Sequence, residues 1–390
     1  MRLKKIIKNE LKGKRVLIRL DFNVPMAAGK IKEDFKIVKG LETISFLLKN
    51  KCKVVIISHL GQPKNGYDKD FSLKQISQHL SFLLSRKVEF LSYDKFNKFS
   101  DIRKKIDNDI NLEKDVFVLD NIRFFDGESR NCSRLGKSLS TLADVYVNDA
   151  FAVSHRANSS VSSVRKYLPS YSGFLLEREL KNMDRALRAE EPLVLIMGGA
   201  KISTKVPIID RLYKKSSNIL LGGALINSFY KAKGYNVGKS LIDDSSLKIV
   251  EKYLKSKKIV LPIDLLVLAK EGARKVRRVR KVDEVLDTDI IYDIGPETIS
   301  HFSKYIKKAQ TIIWNGPMGM FEDERFRRGT VMVASQVASR AKGRAYGLVG
   351  GGETVQALKM SEMESYVDWV STGGGAMLDY LSGEKLPGIN

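Results

Sequence analysis

The chain has 390 residues, 43% of them hydrophobic, which is more than one core usually holds, so two domains are expected. Lys and Arg outnumber Asp and Glu by 68 to 45, a formal charge of +23, and such a field attracts anions, whether nucleic acid, acidic membrane or phosphorylated metabolites. No run approaches the roughly 18 apolar residues that span a bilayer. No signal peptide is indicated behind Met1-Arg2-Leu3-Lys4-Lys5, and Cys52 and Cys132 form no metal spacing, so a cytoplasmic protein with reduced thiols is expected.

In chain order, Val-, Ile- and Leu-rich runs predict strands at 16–21, 54–58, 116–119, 145–148, 193–197, 219–221, 290–294 and 311–314. Helical spacing falls between them, at 37–49, 73–84, 225–233, 247–254 and 331–341. Continuous apolar strands alternating with helices indicate an α/β fold with mainly parallel sheets covered on both faces. The stretch 169–188 reads as one long amphipathic helix connecting an N-terminal to a C-terminal unit. The basic run Arg274-Lys275-Val276-Arg277-Arg278-Val279-Arg280-Lys281 alternates as a half-exposed strand would. Without an RNA-binding, zinc-finger or basic-zipper signature, the surplus charge reads as a lysine-biased, solvated surface rather than a nucleic-acid interface.

Ligands of such sheets bind at the carboxyl ends of strands, and the polar residues cluster there. Asp21-Phe22-Asn23, Ser58-His59-Leu60-Gly61, Asn121-Ile122-Arg123 and Asn148-Asp149 each follow a strand, with His155-Arg156 just beyond the last. Arg123, Arg156, His59 and His155, with Asn23 as partner, would make a basic pocket for a small phosphorylated acid, because the arginine fork binds carboxylate and phosphate bidentately. Near the end lie two glycine clusters, Gly350-Gly351-Gly352-Glu353-Thr354 and Ser371-Thr372-Gly373-Gly374-Gly375-Ala376. Each follows a strand-like run, at 345–349 and 366–370, and precedes a segment that can begin a helix. Such a turn aims unpaired N–H groups outward at the positive end of the helix dipole, which suits phosphate. One cluster alone would be equally well explained as a tight turn; two with the same flanks suggest a ligand with several phosphates. A dinucleotide Gly-x-Gly-x-x-Gly is absent, and Gly234-Tyr-Asn-Val-Gly238-Lys239-Ser240 is one residue short of a P-loop and follows a helix.

With these blocks in view, the chain resembles the phosphoglycerate kinase family over nearly its full length, from Arg15-Val-Leu-Ile-Arg-Leu-Asp-Phe-Asn-Val-Pro25 to Leu386-Pro-Gly-Ile389. Further matching blocks are Val147-Asn-Asp-Ala-Phe151, Gly198-Gly-Ala-Lys201, Asp293-Ile-Gly-Pro296 and Trp314-Asn-Gly-Pro-Met-Gly319. The resemblance implies two Rossmann-like three-layer domains joined by a helix and hinge. Residues 1–168 would form the 3-phosphoglycerate-binding domain, with 376–390 returning to it, 169–188 the connector, and 189–375 the nucleotide-binding domain. The implied reaction is glycolytic phosphoryl transfer between 1,3-bisphosphoglycerate and Mg-ADP by a cytoplasmic monomer, with domain closure uniting the substrates.

By the same resemblance the acid substrate is held by Asp21, Asn23, Lys36, His59, Leu60, Gly61, Arg123 and Arg156. The nucleotide is held by Gly199, Ala200, Lys201, Lys205, Asn315, Glu322, Gly350, Gly351, Gly352, Glu353 and Thr354, with Glu353 as the Mg²⁺ ligand. Lys36, Lys201, Lys205, Gly352 and Gly375 are the catalytic set, Gly373–Gly375 supplying amides to the phosphoryl group. Lys201 and Lys205, four apart, would point from one face at a helix start. The chain departs from the family pattern at Lys36, where an arginine is usual, at Gln62 for arginine, at Glu353 for aspartate and at Thr204 for aspartate. The alternative is an attenuated or non-catalytic relative that binds nucleotide or nucleic acid.

Overall fold

The computed structural model describes residues 3–64, 66–96, 98–111 and 114–390. The chain divides into two compact units, one of Met1–Leu180 with Lys385–Asn390 and one of Lys181–Glu384. The first is built on a seven-stranded sheet in the order Lys4–Lys5, Ser170–Ser172, Val145–Asn148, Arg15–Arg19, Lys53–Ile57, Val116–Leu119, Glu89–Leu91. Every neighbouring pair in it is parallel.

Successive side chains of a strand face opposite ways, and here both ways lead to a core. Val16, Ile18, Val54 and Ile56 pack with Ile37, Ile44 and Leu47 of helix Phe35–Lys49. Leu17, Val55, Ile57 and Phe117 pack on the other face with Ile102, Ile106, Leu135 and Leu139 from helices Phe99–Asn111 and Ser133–Ser140. Double burial is why these strands read as unbroken apolar runs.

The second unit holds a six-stranded parallel sheet in the order Ile259–Val260, Ser216–Leu221, Leu193–Met197, Thr311–Asn315, Tyr346–Gly350, Trp369–Val370. Beside it stands a three-stranded antiparallel sheet, Arg274–Lys281, Asp264–Glu271 and Ile290–Ile294. The α/β class with mainly parallel sheets is therefore borne out. The basic run is an exposed edge strand, with Arg278 ion-paired to Glu271 at 2.7 Å and Arg280 to Asp289 at 3.3 Å. Among the described residues no helix is long and apolar enough to cross a membrane.

Two expectations change. The stretch 169–188 is not helical throughout: Ser170–Ser172 is a strand, and the helix is Phe174–Leu187. Long-range pairing overrides the helical pattern, because Tyr171 is bracketed by Val147 on one side and Lys4 on the other. Gly173 makes the change of direction, where an added Cβ would lie 2.3 Å from the Asp149 carboxyl carbon. The run 366–370 shortens to Trp369–Val370, since this edge strand has a single neighbour and Glu364–Tyr366 forms a 3-10 turn with Tyr366 exposed.

Candidate functional site

In the first unit four adjacent strands end side by side. Arg15–Arg19 leads into Asp21 and Asn23, Lys53–Ile57 into Ser58 and His59, Val116–Leu119 into Asn121 and Arg123, and Val145–Asn148 toward His155 and Arg156. The turns are tied to one another. The Phe22 N–H donates to Ser58 Oγ at 2.8 Å, and the Gly61 N–H to Asn23 Oδ1 at 2.9 Å. Asn121 Nδ2 donates to the Leu60 carbonyl at 2.7 Å, and the Arg123 guanidinium to the Gly61 carbonyl. Gly61 has φ +57°, and a Cβ there would meet the Phe71 ring at 2.2 Å, so only glycine lets the backbone take this path.

Asp21 is buried, and Lys36, in the first turn of Phe35–Lys49, places Nζ 2.8 Å from its Oδ2. Burial alone would raise the Asp21 carboxyl; the adjacent Lys36 ammonium outweighs that and holds it at about 2. His59 is pushed well below the usual histidine range, by burial first and then by Arg19, Arg123 and Lys36, against the opposite pull of Asp21. That direction favours the uncharged ring, so the positive charge at these strand ends rests on Arg19, Arg123, Arg156 and Lys36. Arg123 is also pushed below its usual range, by burial and then by repulsion from Arg156 and Arg19. Crowded guanidiniums are relieved by a bound anion, so the acid-substrate reading gains an electrostatic basis. Arg156 is exposed, with Nε 3.2 Å from His155 Nε2.

Arg19 escaped the sequence reading. It is 1% exposed, with Nη2 3.2 Å from His59 Nδ1 and Nε donating to Ser160 Oγ at 3.1 Å. The signal was present: a lone charge among Val16, Leu17, Ile18 and Leu20 in a doubly buried strand needs a polar partner.

In the second unit, strands Leu193–Met197, Thr311–Asn315, Tyr346–Gly350 and Trp369–Val370 also end in glycine-bearing turns. The Gly199 N–H donates to the Pro317 carbonyl at 3.0 Å, and the Gly316 N–H to Thr354 Oγ1 at 2.7 Å, so buried Thr354 ties the turns together. Gly351, φ +102°, caps helix Gly352–Met360, and Gly374 begins helix Gly374–Ser382. A Cβ on Gly374 would lie 2.8 Å from Gly351 Cα. The two glycine clusters thus touch, and two helix amino ends start together, doubling the unpaired N–H groups offered to one anion. Gly352 and Gly375 are exposed within those first turns.

Asn315 Nδ2 donates to the Gly350 carbonyl at 2.8 Å, and its Oδ1 accepts from the Lys205 ammonium. Burial lowers Lys205 to about 8, against the pull of the nearby Glu353 carboxylate. Lys205, Asn315, Gly350 and Glu353 accordingly form one cluster. Lys201 does not share a helix face with Lys205. It is exposed and extended ahead of the 3-10 turn Ile202–Thr204, and Lys205 precedes the α-helix Val206–Leu212. The turn is closed by Thr204 Oγ1 donating to the Lys201 carbonyl at 2.9 Å, a local bond that competes with α-helical spacing. Ala200 and Glu322 are exposed, Glu322 on the loop after Thr311–Asn315. Exposed Glu353 is a carboxylate suited to Mg²⁺, and no cluster of three acidic, His or Cys ligands exists among the described residues. That fits an ion held by one carboxylate and the ligand's own phosphates.

The family model described as phosphoglycerate kinase matches residues 6–384. The chain belongs to the phosphoglycerate kinase family. The phosphoglycerate kinase of Thermosipho africanus is 41% identical over 387 residues, covering 97% of this chain and 95% of that one. That of Finegoldia magna is 42% identical over 396 residues, covering 99% and 98%. Among solved structures, phosphoglycerate kinase from Coxiella burnetii matches with TM-score 0.80 and 36% identity over 97% of this chain and 96% of that one. The Pyrococcus horikoshii phosphoglycerate kinase matches with TM-score 0.81 and 30% identity, over 99% and 97%. Phosphoglycerate kinases are phosphotransferases with a carboxyl acceptor, and the chain falls in that class.

Proposed function

We infer that the chain transfers a phosphoryl group reversibly between Mg-ATP and the carboxylate of 3-phosphoglycerate, as a monomer acting in the cytoplasm on small-molecule substrates. The observation that carries this reading is that cations gather at strand ends in each of the two units. Arg19, Arg123, Arg156 and Lys36 cluster in the first unit, which suits an acid substrate, and Lys205 is joined through Asn315 to Gly350 beside the touching glycine turns of the second, which suits a nucleotide.

A 3-phosphoglycerate carboxylate oxygen attacks the γ-phosphorus of ATP, the bond from that phosphorus to the β,γ-bridging oxygen breaks, and ADP leaves with the electron pair. The reverse direction makes ATP. Such a transfer asks the protein mainly to position the partners and neutralise charge. Arg123 and Arg156 orient the acid through bidentate contacts. Asn23, fixed by the Gly61 N–H, lines the same turn. Lys36 leaves Asp21 to approach the transferring group as a single-point donor, while Lys205 and the amides near Gly352 and Gly375 meet the developing negative charge. Glu353 would hold Mg²⁺, which supplies charge neutralisation on the nucleotide phosphates when bound. The exposed basic strand is partly ion-paired, which gives the nucleic-acid alternative no support.

A coupled assay of ATP-dependent 3-phosphoglycerate phosphorylation tests the reading. Turnover dependent on both substrates and on Mg²⁺ is expected. Binding of both ligands without turnover would instead identify a non-catalytic relative.

A further inference from the structure

We propose that a buried polar chain, Glu128–Ser160–Arg19, holds His59 as the neutral Nε2–H tautomer, so that His59 offers the acid substrate one directed, uncharged hydrogen bond. Arg19, Ser160 and Glu128 are in this view positioning residues. The use made of His59 rests on the acid-site reading above, whereas the tautomer itself does not.

A guanidinium has N–H donors and no acceptor. With Arg19 Nη2 at 3.2 Å, His59 Nδ1 must accept, which leaves the ring proton on Nε2. Asp21 offers no competing claim on Nδ1. Its Oδ1 is 3.8 Å away, beyond hydrogen-bond range, and its Oδ2 is taken by Lys36.

Arg19 is itself fixed at two further points, Nη1 on the Leu20 carbonyl and Nε on Ser160 Oγ at 3.1 Å. An oxygen that accepts from Arg19 can still donate its own proton, and Ser160 Oγ does so to Glu128 Oε1 at 2.5 Å. The Ser160 N–H fills Glu128 Oε2 at 2.9 Å. Glu128, Ser160 and Arg19 are all 2% exposed or less, so each link stands in a low-dielectric interior where a misdirected proton is costly. One proton arrangement satisfies the whole chain: the carboxylate only accepts, the hydroxyl accepts and donates, the guanidinium donates, and Nδ1 accepts.

The geometry also serves Arg156. Asn158 Nδ2 reaches Glu128 Oε1 at 3.3 Å, and the Ser159 N–H reaches the Glu128 carbonyl at 2.9 Å, so the same glutamate pins the segment just after Arg156. Burial and the cations Arg19, Arg123 and Lys36 keep the ring unprotonated, with Asp21 the acidic group facing it. Charge for the substrate phosphate thus comes from lysine and arginine, and His59 supplies direction.

The chain has four histidines, which makes a long-range ¹H–¹⁵N imidazole spectrum of the labelled full-length protein assignable, with His59→Gln identifying the His59 signals. The expected result is a protonated Nε2 and a bare Nδ1 that does not titrate between about pH 5.5 and 8, where an unperturbed ring would. Ser160→Ala cuts the relay. It should mix the tautomers and weaken 3-phosphoglycerate binding by about tenfold, as loss of a buried partner does, with Mg-ADP binding unchanged. Glu128→Gln should act in the same direction and serves if Ser160→Ala fails to fold. A protonated Nδ1 in the parent, or variants that leave both tautomer and affinity intact, would overturn the proposal. A parent with the Nε2–H tautomer but no phosphorylation of 3-phosphoglycerate would refute the functional reading and leave the tautomer assignment in force.

Discussion

The Lys36–Asp21 pair gives a coupling that can be measured without substrate. Replacing Lys36 by Met keeps the aliphatic stem and removes the ammonium 2.8 Å from Asp21 Oδ2. Asp21 is held at about 2 against an ordinary value of 3.8. That depression corresponds to about 2 kcal/mol of net favourable interaction with the carboxylate, since each tenfold change in acidity is worth about 1.4 kcal/mol. Burial persists in the variant and opposes ionisation, so the Asp21 carboxyl should rise past 4. The sign for stability follows. A depressed carboxyl stabilises the fold above its unfolded value and loses that contribution as pH falls through its folded value. Lys36→Met should therefore cost about 2 kcal/mol at pH 7, a gap that narrows below about pH 4.

A ¹³C-carboxyl titration of labelled Asp21 reads the coupling directly. Turnover reads the catalytic half: Lys36→Met should lower kcat by about 10²–10³-fold, as loss of one placed donor does, whereas Lys36→Arg should raise it by engaging two oxygens. An Asp21 signal still titrating below about 3 in Lys36→Met, or a kcat within about twofold of the parent, comparable to a surface change, would refute the reasoning.

Lys205 is held at about 8, so raising pH through that value discharges it, and Mg-ADP affinity should fall above pH 8. Lys205→Arg, which stays charged, should flatten the profile, and calorimetry showing a flat parent would contradict the placement. Gly374→Ala puts a methyl 2.8 Å from Gly351 Cα and should part the two glycine turns. An overpacking cost of about 1–3 kcal/mol should appear as a lower Tm and weaker nucleotide binding. Buried Asp149 is raised by burial to about 7, so between about pH 4 and 7 the folded state binds a proton the unfolded state does not. Its contribution to stability falls as pH rises across that window, by up to about 1.4 kcal/mol per pH unit. Asp149→Asn should flatten the dependence of the denaturation midpoint, and identical parent and variant slopes would rule this out.

The central strands were legible because a strand buried on both faces has no polar alternation to mislead, and the polar residues at their ends then stood out against Val16–Leu20 or Val116–Leu119. What failed depended on remote partners. Ser170–Ser172 has one large apolar residue and exists because two other strands flank it. The Lys201–Lys205 spacing looked helical, but Gly199, with φ +96°, and the bond from Thr204 impose a tighter turn. The burial of His59 beside Arg19 was not legible either, because sequence shows a residue type and not its surroundings. Arg19 was passed over because its role arises only when Ser160, 141 residues away in sequence, closes on it.

The six residues Lys385–Asn390 belong to the first unit, although all of Lys181–Glu384 is synthesised before them. They fill specific vacancies: the Asn148 amide donates to the Gly388 carbonyl at 2.9 Å, the Gly388 N–H to the Ser154 carbonyl at 2.9 Å, and Arg165 to the Pro387 carbonyl at 2.7 Å. Asn148 ends the strand that leads to Asp149 and Arg156. A nascent chain can thus assemble the sheet early yet leaves the buried Asn148 amide without its acceptor until Gly388 has been made. The second unit is topologically an insertion within the first, and completion of the first unit waits until the whole of the second has been synthesised. The Leu3 N–H also meets the Ile389 carbonyl at 3.2 Å, so the two stretches that make up the first unit are hydrogen-bonded to each other directly as well as through the sheet.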